Sequence, residues 1–83
     1  MIYPMYSVRD VKTFFMPPQI AQNEEDAKRQ FAMMINNGDS ILGFAPKDFD
    51  LFYVGNFDSE KGEIVPVQPV VFVVAGTGVF NEK

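Results

Sequence analysis

One stretch of the sequence interleaves aromatic and basic side chains in a pattern that can bind nucleic acid. Between positions 3 and 14 it carries Tyr3, Tyr6, Arg9, Lys12 and Phe14. Proteins bind single strands by stacking bases on aromatic rings while Lys and Arg follow the phosphates. The competing interpretation is that these rings belong to the core of a hairpin, and two cations are few for tight binding. We take the five residues as a candidate DNA-binding set and leave both interpretations open.

The sequence has few residues suited to catalysis or to metal binding. The sequence contains neither Cys nor His, so the common nucleophile–base pairs and the commonest metal ligand are missing. Carboxylates flank Phe49, and three more cluster in Asp58–Glu63, but their spacing is typical of a solvated turn rather than of a calcium loop. We therefore predict no enzymatic activity, no metal and no cofactor.

The composition predicts a single globular domain over residues 1–83. Of the 83 residues, 47% are hydrophobic and 22% are charged, with a net charge of −4, which argues against a protein that coats nucleic acid by charge alone. Residues 1–22 carry two bases and one acid, so this segment is locally positive. The longest apolar stretch, Val70–Ala75, is too short to span a membrane, so we expect a soluble protein without a membrane partner.

The elements that must position these residues begin with a hairpin and a helix. Ile2–Val8 reads as a strand that pairs with Phe14–Met16, and Pro17 and Pro18 end the second strand. Asn23 is a suitable N-cap for a helix with three acids in its first turn, and Asn37–Gly38 is its predicted stop. Its apolar stripe consists of Ala27, Phe31, Met34 and Ile35.

The second half of the chain reads as strands. Ser40–Phe44 predicts a short strand and Leu51–Phe57 a longer one, followed by a turn over Asp58–Gly62 in which Gly62 suits a positive φ. A return strand from Ile64 is interrupted at Pro66 and Pro69, resumes over Val70–Ala75 and ends in a frayed tail from Gly76. We thus predict the α+β class, an antiparallel sheet of four to five strands with one helix packed on one face, in the order ββα(β)ββ.

The later strands are apolar on both sides, which predicts self-association. Alternation puts Leu51, Tyr53 and Phe57 on one face and Phe52 and Val54 on the other, and a single helix covers one face. We therefore predict a homo-oligomer, with a dimer favoured, and an interface formed by Phe52, Val54, Val71 and Val73. The alternative is that residues 16–22 and the C-terminal tail cover that face.

Two segments carry a family resemblance. The first is Ile2–Pro4 through Tyr6–Thr13, and the second is Lys47–Leu51 with Gly55–Asp58. They resemble the small non-structural protein of gokushoviruses, single-stranded DNA phages of the Microviridae. The resemblance implies a non-enzymatic viral accessory protein in the host bacterial cytoplasm. It would act during genome replication or the handover to packaging, binding single-stranded DNA weakly or working through the replication initiator.

Two alternatives to DNA contact remain open. One is a protein-interaction factor that binds viral proteins (capsid, scaffold or replication initiator) or host proteins without touching DNA. The other is a structural protein of the virion.

Overall fold

A four-stranded antiparallel sheet with a helix on one face forms the framework, in a computed structural model that describes residues 1–81. The spatial strand order is β2-β1-β3-β4, and the predicted α+β class is confirmed. The elements are β1 (Ile2–Asp10), β2 (Gln19–Ile20), α1 (Glu24–Ile35), α2 (Ile41–Phe44), a 3₁₀ turn (Pro46–Asp48), β3 (Phe49–Asp58), β4 (Glu63–Ala75) and α3 (Gly76–Val79).

Helix α1 begins where the sequence predicts. The Asp26 backbone N–H donates to Asn23 Oδ1 at 2.8 Å, and the Asp26 carboxylate accepts from the Gln22 N–H at 3.1 Å. That backbone hydrogen bond lowers the pKa of Asp26 below its ordinary value of 3.8. The helix ends at Ile35, with Asn36 rather than Asn37 as its C-cap.

The core lies between α1 and one face of the sheet. Ala27, Phe31 and Ile35 repeat every four residues along α1, and all three are buried. They pack with side chains from β1 and β3, among them Tyr6, Val8, Phe49 and Leu51. Met34, which the sequence places in the same stripe, is 38% exposed.

Two irregularities in the sheet change which side chains share a face. Met5 pairs with Gly55 while Tyr6 pairs with Tyr53, so Val54 is an extra residue in β3. Phe57 therefore lies on the face opposite Tyr53, and the prediction that the two share a face is wrong. On the other side of β3, Leu51 pairs with Val74 while Phe52 pairs with Phe72, so Val73 is an extra residue in β4.

The predicted second and third strands are wrong in place or in type. Phe14–Met16 is not a strand, because Phe15 alone bridges to Arg9 and the paired strand β2 follows the prolines. The two prolines offer no N–H, so ladder pairing resumes only beyond them. Ser40–Phe44 is not a strand either, since the Ser40 side chain accepts from the Gly43 N–H at 3.2 Å and caps helix α2.

The β3–β4 hairpin has the predicted turn, and Gly62 adopts φ +67°. Strand β4, predicted to be interrupted, runs from Glu63 to Ala75 and includes Pro66 and Pro69. It lies at the edge of the sheet, where a missing N–H is tolerated. Its pairing with β3 nevertheless skips residues 67–70.

The chain beyond β4 packs against the core, so the prediction of a frayed tail is wrong for residues 76–81. Gly76 is buried and Val79 packs on the core cluster. The Asn36 side chain donates from Nδ2 to the Val79 carbonyl at 2.9 Å, and its Oδ1 accepts from the Asn81 N–H at 2.7 Å. The part of that prediction that concerns residues 82 and 83 lies outside the described residues.

Candidate functional site

One end of the sheet collects two loops, and we call it the loop end (residues 9–14 and 44–48). Strand β1 ends there at Asp10 and β3 begins there at Phe49. The Val11 N–H donates to the Asp48 carbonyl at 2.9 Å, which holds the turn after β1 against the 3₁₀ turn before β3. Arg9, Lys12 and Phe14 therefore lie at the same end of the molecule as Phe44 and Lys47.

The cations of the loop end are available to a ligand. Within residues 1–81, the ion pairs occupy Lys28, Arg29 and the N-terminal amine. Arg9, Lys12 and Lys47 take part in none of these pairs, and all three are exposed. Asp10, Asp48 and Asp50 lie nearby, so the local charge is balanced rather than strongly positive.

The loop end also carries the two most exposed phenylalanines of the described chain. Phe14 is 82% exposed and Phe44 is 86% exposed. The Phe14 carbonyl accepts from the Asp10 N–H at 3.1 Å, and Phe44 ends the short helix that Ser40 caps. Their backbones are thus fixed while their rings face solvent, which is the condition for stacking on a base.

The structure separates the five residues of the candidate DNA-binding set. Arg9, Lys12 and Phe14 come together at the loop end. Tyr6 is 7% exposed and packs its ring 5.5 Å from that of Tyr53, and burial raises the pKa of its phenol. Tyr3 lies toward the other end of β1, where its hydroxyl donates to Met1 Sδ at 3.6 Å.

Sequence reasoning missed Phe44 and Lys47 at this site. It placed Phe44 in a strand, although Pro46 two residues later favours a turn at that point. Their approach to residues 9–14 depends on the pairing of β1 with β3, which is a contact between residues some forty positions apart.

The four predicted interface residues lie on different faces. We call the sheet face opposite α1 the far face. Phe52 and Val54 belong to it, whereas Val73 packs toward the core and Val71, at 48% exposure, lies on the helix side near the sheet edge. Val71 lies on the helix side because the extra residue Val73 interrupts the alternation of side chains along β4.

Part of the far face is covered by the chain itself, as the alternative prediction has it for residues 16–18. The rest of that alternative is wrong, because residues 19–21 line the helix side and the C-terminal segment packs on the core. The rings of Phe15, Phe52 and Phe72 form an edge-to-face row with centroids 5.3 and 5.8 Å apart. The Ser7 hydroxyl donates to the Met16 carbonyl at 2.6 Å. Residues 15–18 therefore cover the β1 side, while Phe72 on β4 remains 54% exposed.

An apolar groove of about 400 Å³ opens on the opposite side of the sheet, between α1 and the segment around β2. Its lining includes three of the five methionines, and Met33 is 69% exposed. Methionine side chains adapt to varied apolar partners. Gln19 and Gln30 supply polar groups to the lining, which also includes Met16, Ile20, Phe31 and Met34.

Among the described residues, no group of three or more acidic side chains is placed to hold a metal ion. None of the helices found in residues 1–81 has the length and apolar character needed to cross a bilayer.

Comparison with known proteins places the chain in a class of small bacteriophage proteins. Residues 3–79 match the family described as Phage ORF5 protein, and the chain belongs to this family. Over 59 residues it is 37% identical to Protein ORF5 of Chlamydia phage 1, a gokushovirus of the Microviridae, so the resemblance to gokushovirus proteins is confirmed. That match covers 69% of this chain but 62% of the relative, less than two thirds of its length. No solved structure matches.

Proposed function

We propose that this phage accessory protein is non-enzymatic and binds single-stranded DNA weakly through its loop end. It would do so in the host bacterial cytoplasm, during genome replication or the handover to packaging. One observation carries the proposal: exposed cations outside the described ion pairs and the two most exposed phenylalanines share one end of the sheet. Stacking rings beside cations are the elements from which sequence-tolerant single-strand sites are built.

The same geometry supports a weak contact. Base stacking on one aromatic ring contributes about 1–3 kcal/mol, and three cations contact at most about three phosphates. Each phosphate contact on a single strand contributes about 0.7 to the slope of log affinity against log salt concentration, so the expected slope is about −2. The neighbouring carboxylates and the net charge of −4 reduce affinity further.

Fluorescence anisotropy with labelled oligonucleotides at about 50 mM salt tests the proposal. We expect single-stranded thymidine oligonucleotides to bind better than duplex. Phe14→Ala should weaken binding at least fivefold, and Lys12→Ala should make the salt slope shallower by about 0.7. Both side chains are exposed, so neither change should disturb folding.

Lys61→Ala is the matched control, because Lys61 is an exposed cation in the hairpin turn at the opposite end of β3. It should leave both affinity and salt slope unchanged. The proposal is wrong if no strand binds at low salt. It is also wrong if Lys61→Ala lowers affinity as much as Lys12→Ala does, because binding would then follow overall charge.

A second candidate function is that of a protein-interaction factor without DNA contact, and the apolar groove favours it. Met33 and Met34 line the groove on α1, and Met16 lines it from the other side. The methyl NMR signals of these methionines should shift when the phage capsid protein or replication initiator is added. Shifts at Met33 and Met34, together with absence of DNA binding, would favour this candidate over the first.

A further inference from the structure

The far face carries a nearly continuous uncharged surface. Strand register places Ser7, Phe52 and Phe72 in one row across it, and the Phe15 ring packs on Phe52 at the β1 side. Val54 and Val70 lie beside this row and line the same recess as Ser7 and Phe15. Toward the hairpin, the register brings Tyr3, Phe57 and Ile64 to the same face. Among the described residues, the charged positions on this face are Arg9 and Asp50, which are register partners of opposite sign.

The remaining charge of the molecule lies elsewhere. The first turn of α1 carries three acids on the opposite side of the sheet, and the hairpin turn carries Glu60. Alternation turns Asp58 and Glu63 toward the helix side as well. Two copies of a protein with a net charge of −4 repel each other, and this repulsion is smallest if they meet through their neutral far faces.

The shape of the far face is complementary to the far face of a second copy. Residues 15–18 rise above the β1 side, and beside them lies a recess of about 440 Å³ that Val54 and Val70 also line. The β4 side is open, with Phe72 54% exposed and Ile64 61% exposed. A two-fold axis along the strands sets the raised side of each copy over the open side of the other, as an isologous interface requires.

We propose that the far face is a dimer interface and that its occupant is a second copy of this chain. Residues 15–18 of each copy contact Val70 and Phe72 of the other. Three strands about 4.8 Å apart and roughly eight residues at about 3.3 Å each outline a face of several hundred Å². The total buried area of the two faces is then roughly 800 Å², in the range of weak, transient interfaces, so the dimer dissociates on dilution.

Sedimentation equilibrium without DNA tests this proposal separately from the proposed function. The wild-type chain should approach twice its 9.4 kDa mass at high concentration. Val70→Lys should raise the dissociation constant at least about tenfold, because the interface would have to bury an ammonium group. Val71→Lys is the control: the neighbouring valine is similarly exposed, at 48% against 38%, but lies on the helix side.

Several outcomes overturn the proposal. One is a wild-type mass of 9.4 kDa at every concentration up to the order of 100 µM. Another is equal dissociation by both variants, which would indicate pairing along the edge of β4 instead. If circular dichroism shows that Val70→Lys is unfolded, Val70→Ser replaces it, and a dimer as strong as wild type would then overturn the proposal.

Discussion

Replacing Asn36 by alanine should detach the C-terminal segment from the core. The Asn36 side chain makes three hydrogen bonds: from Nδ2 to the carbonyls of Ala32 and Val79 at 2.8 and 2.9 Å, and at Oδ1 from the Asn81 N–H at 2.7 Å. The Ala32 carbonyl keeps a second donor, the Asn36 backbone N–H at 2.9 Å. The loss therefore concerns the two bonds to residues 79 and 81.

At about 1 kcal/mol for each such bond, Asn36→Ala should lower the free energy of unfolding by about 2 kcal/mol. For a domain of this size, that corresponds to a fall in Tm of roughly 8–16 °C. Urea unfolding followed by circular dichroism measures the first quantity and thermal unfolding the second. Hydrogen exchange at the amide of Asn81 should accelerate in the variant, because its acceptor is gone.

Asn37→Ala is the matched control on the neighbouring residue. The Asn37 side chain is exposed and accepts one local hydrogen bond, from the Asp39 N–H at 3.0 Å. Its removal should cost no more than about 0.5 kcal/mol. Equal losses for the two variants would refute the reasoning, because the stabilisation would then not depend on the bonds that cross to the C-terminal segment.

Three further predictions concern the core, a close backbone approach and pH. Phe31→Ala removes a ring with 0% exposure and should cost about 3–5 kcal/mol of unfolding free energy in urea titrations. Gly76→Ala should cost more than about 2 kcal/mol, because its Cβ would meet the Pro46 carbonyl oxygen, while Gly38→Ala, in open space, should stay within about 0.5 kcal/mol. The stability advantage of wild type over Asp26→Asn should be full at neutral pH and disappear as the pH falls through the folded-state pKa, because the pKa of Asp26 is lowered on folding. An advantage that grows as the pH falls would contradict this sign.

Features that depend on neighbouring residues follow directly from the sequence. The Asn23 cap, the acids after it and the four-residue spacing of the buried stripe specify α1 within one segment. Gly62 likewise specifies the hairpin turn, since few other residues adopt a positive φ at low cost. These signals are local, so they do not depend on how distant segments of the chain pair.

Features that depend on pairing between distant segments do not follow in this way. The extra residue at Val54 moves Phe57 to the other face of the sheet. The extra residue at Val73 likewise reverses the faces of Phe72 and Val71 relative to Val74. A bulge breaks the two-residue period on which face predictions depend, and its position is set by the partner strand. This is why Phe52 and Val54 share the far face while Val71 and Val73 do not.

The candidate site was predictable in part for the same reason. Arg9, Lys12 and Phe14 lie close in the sequence and remain close in the structure. Tyr6 belongs to the core because strand alternation turns its side chain toward α1. A tyrosine at this position does not by itself indicate which face of the strand it occupies. Phe44 and Lys47 join the site through the β1–β3 pairing.

The proposed dimer and the proposed DNA contact are connected by the direction of the two-fold axis. An axis along the strands keeps the loop ends of both copies at the same end of the dimer. With Arg9, Lys12 and Lys47 in each copy, six cations would then lie at one end, together with four exposed phenylalanines.

Two weak sites side by side bind one strand more tightly than either alone, because the second contact becomes intramolecular. Affinity for a long oligonucleotide should therefore exceed that for a short one in the wild-type chain. Val70→Lys, at a position on β4 outside the loop end, should remove that difference while leaving the affinity for short oligonucleotides unchanged. If Val70→Lys lowers affinity for both lengths equally, the two loop ends do not act together.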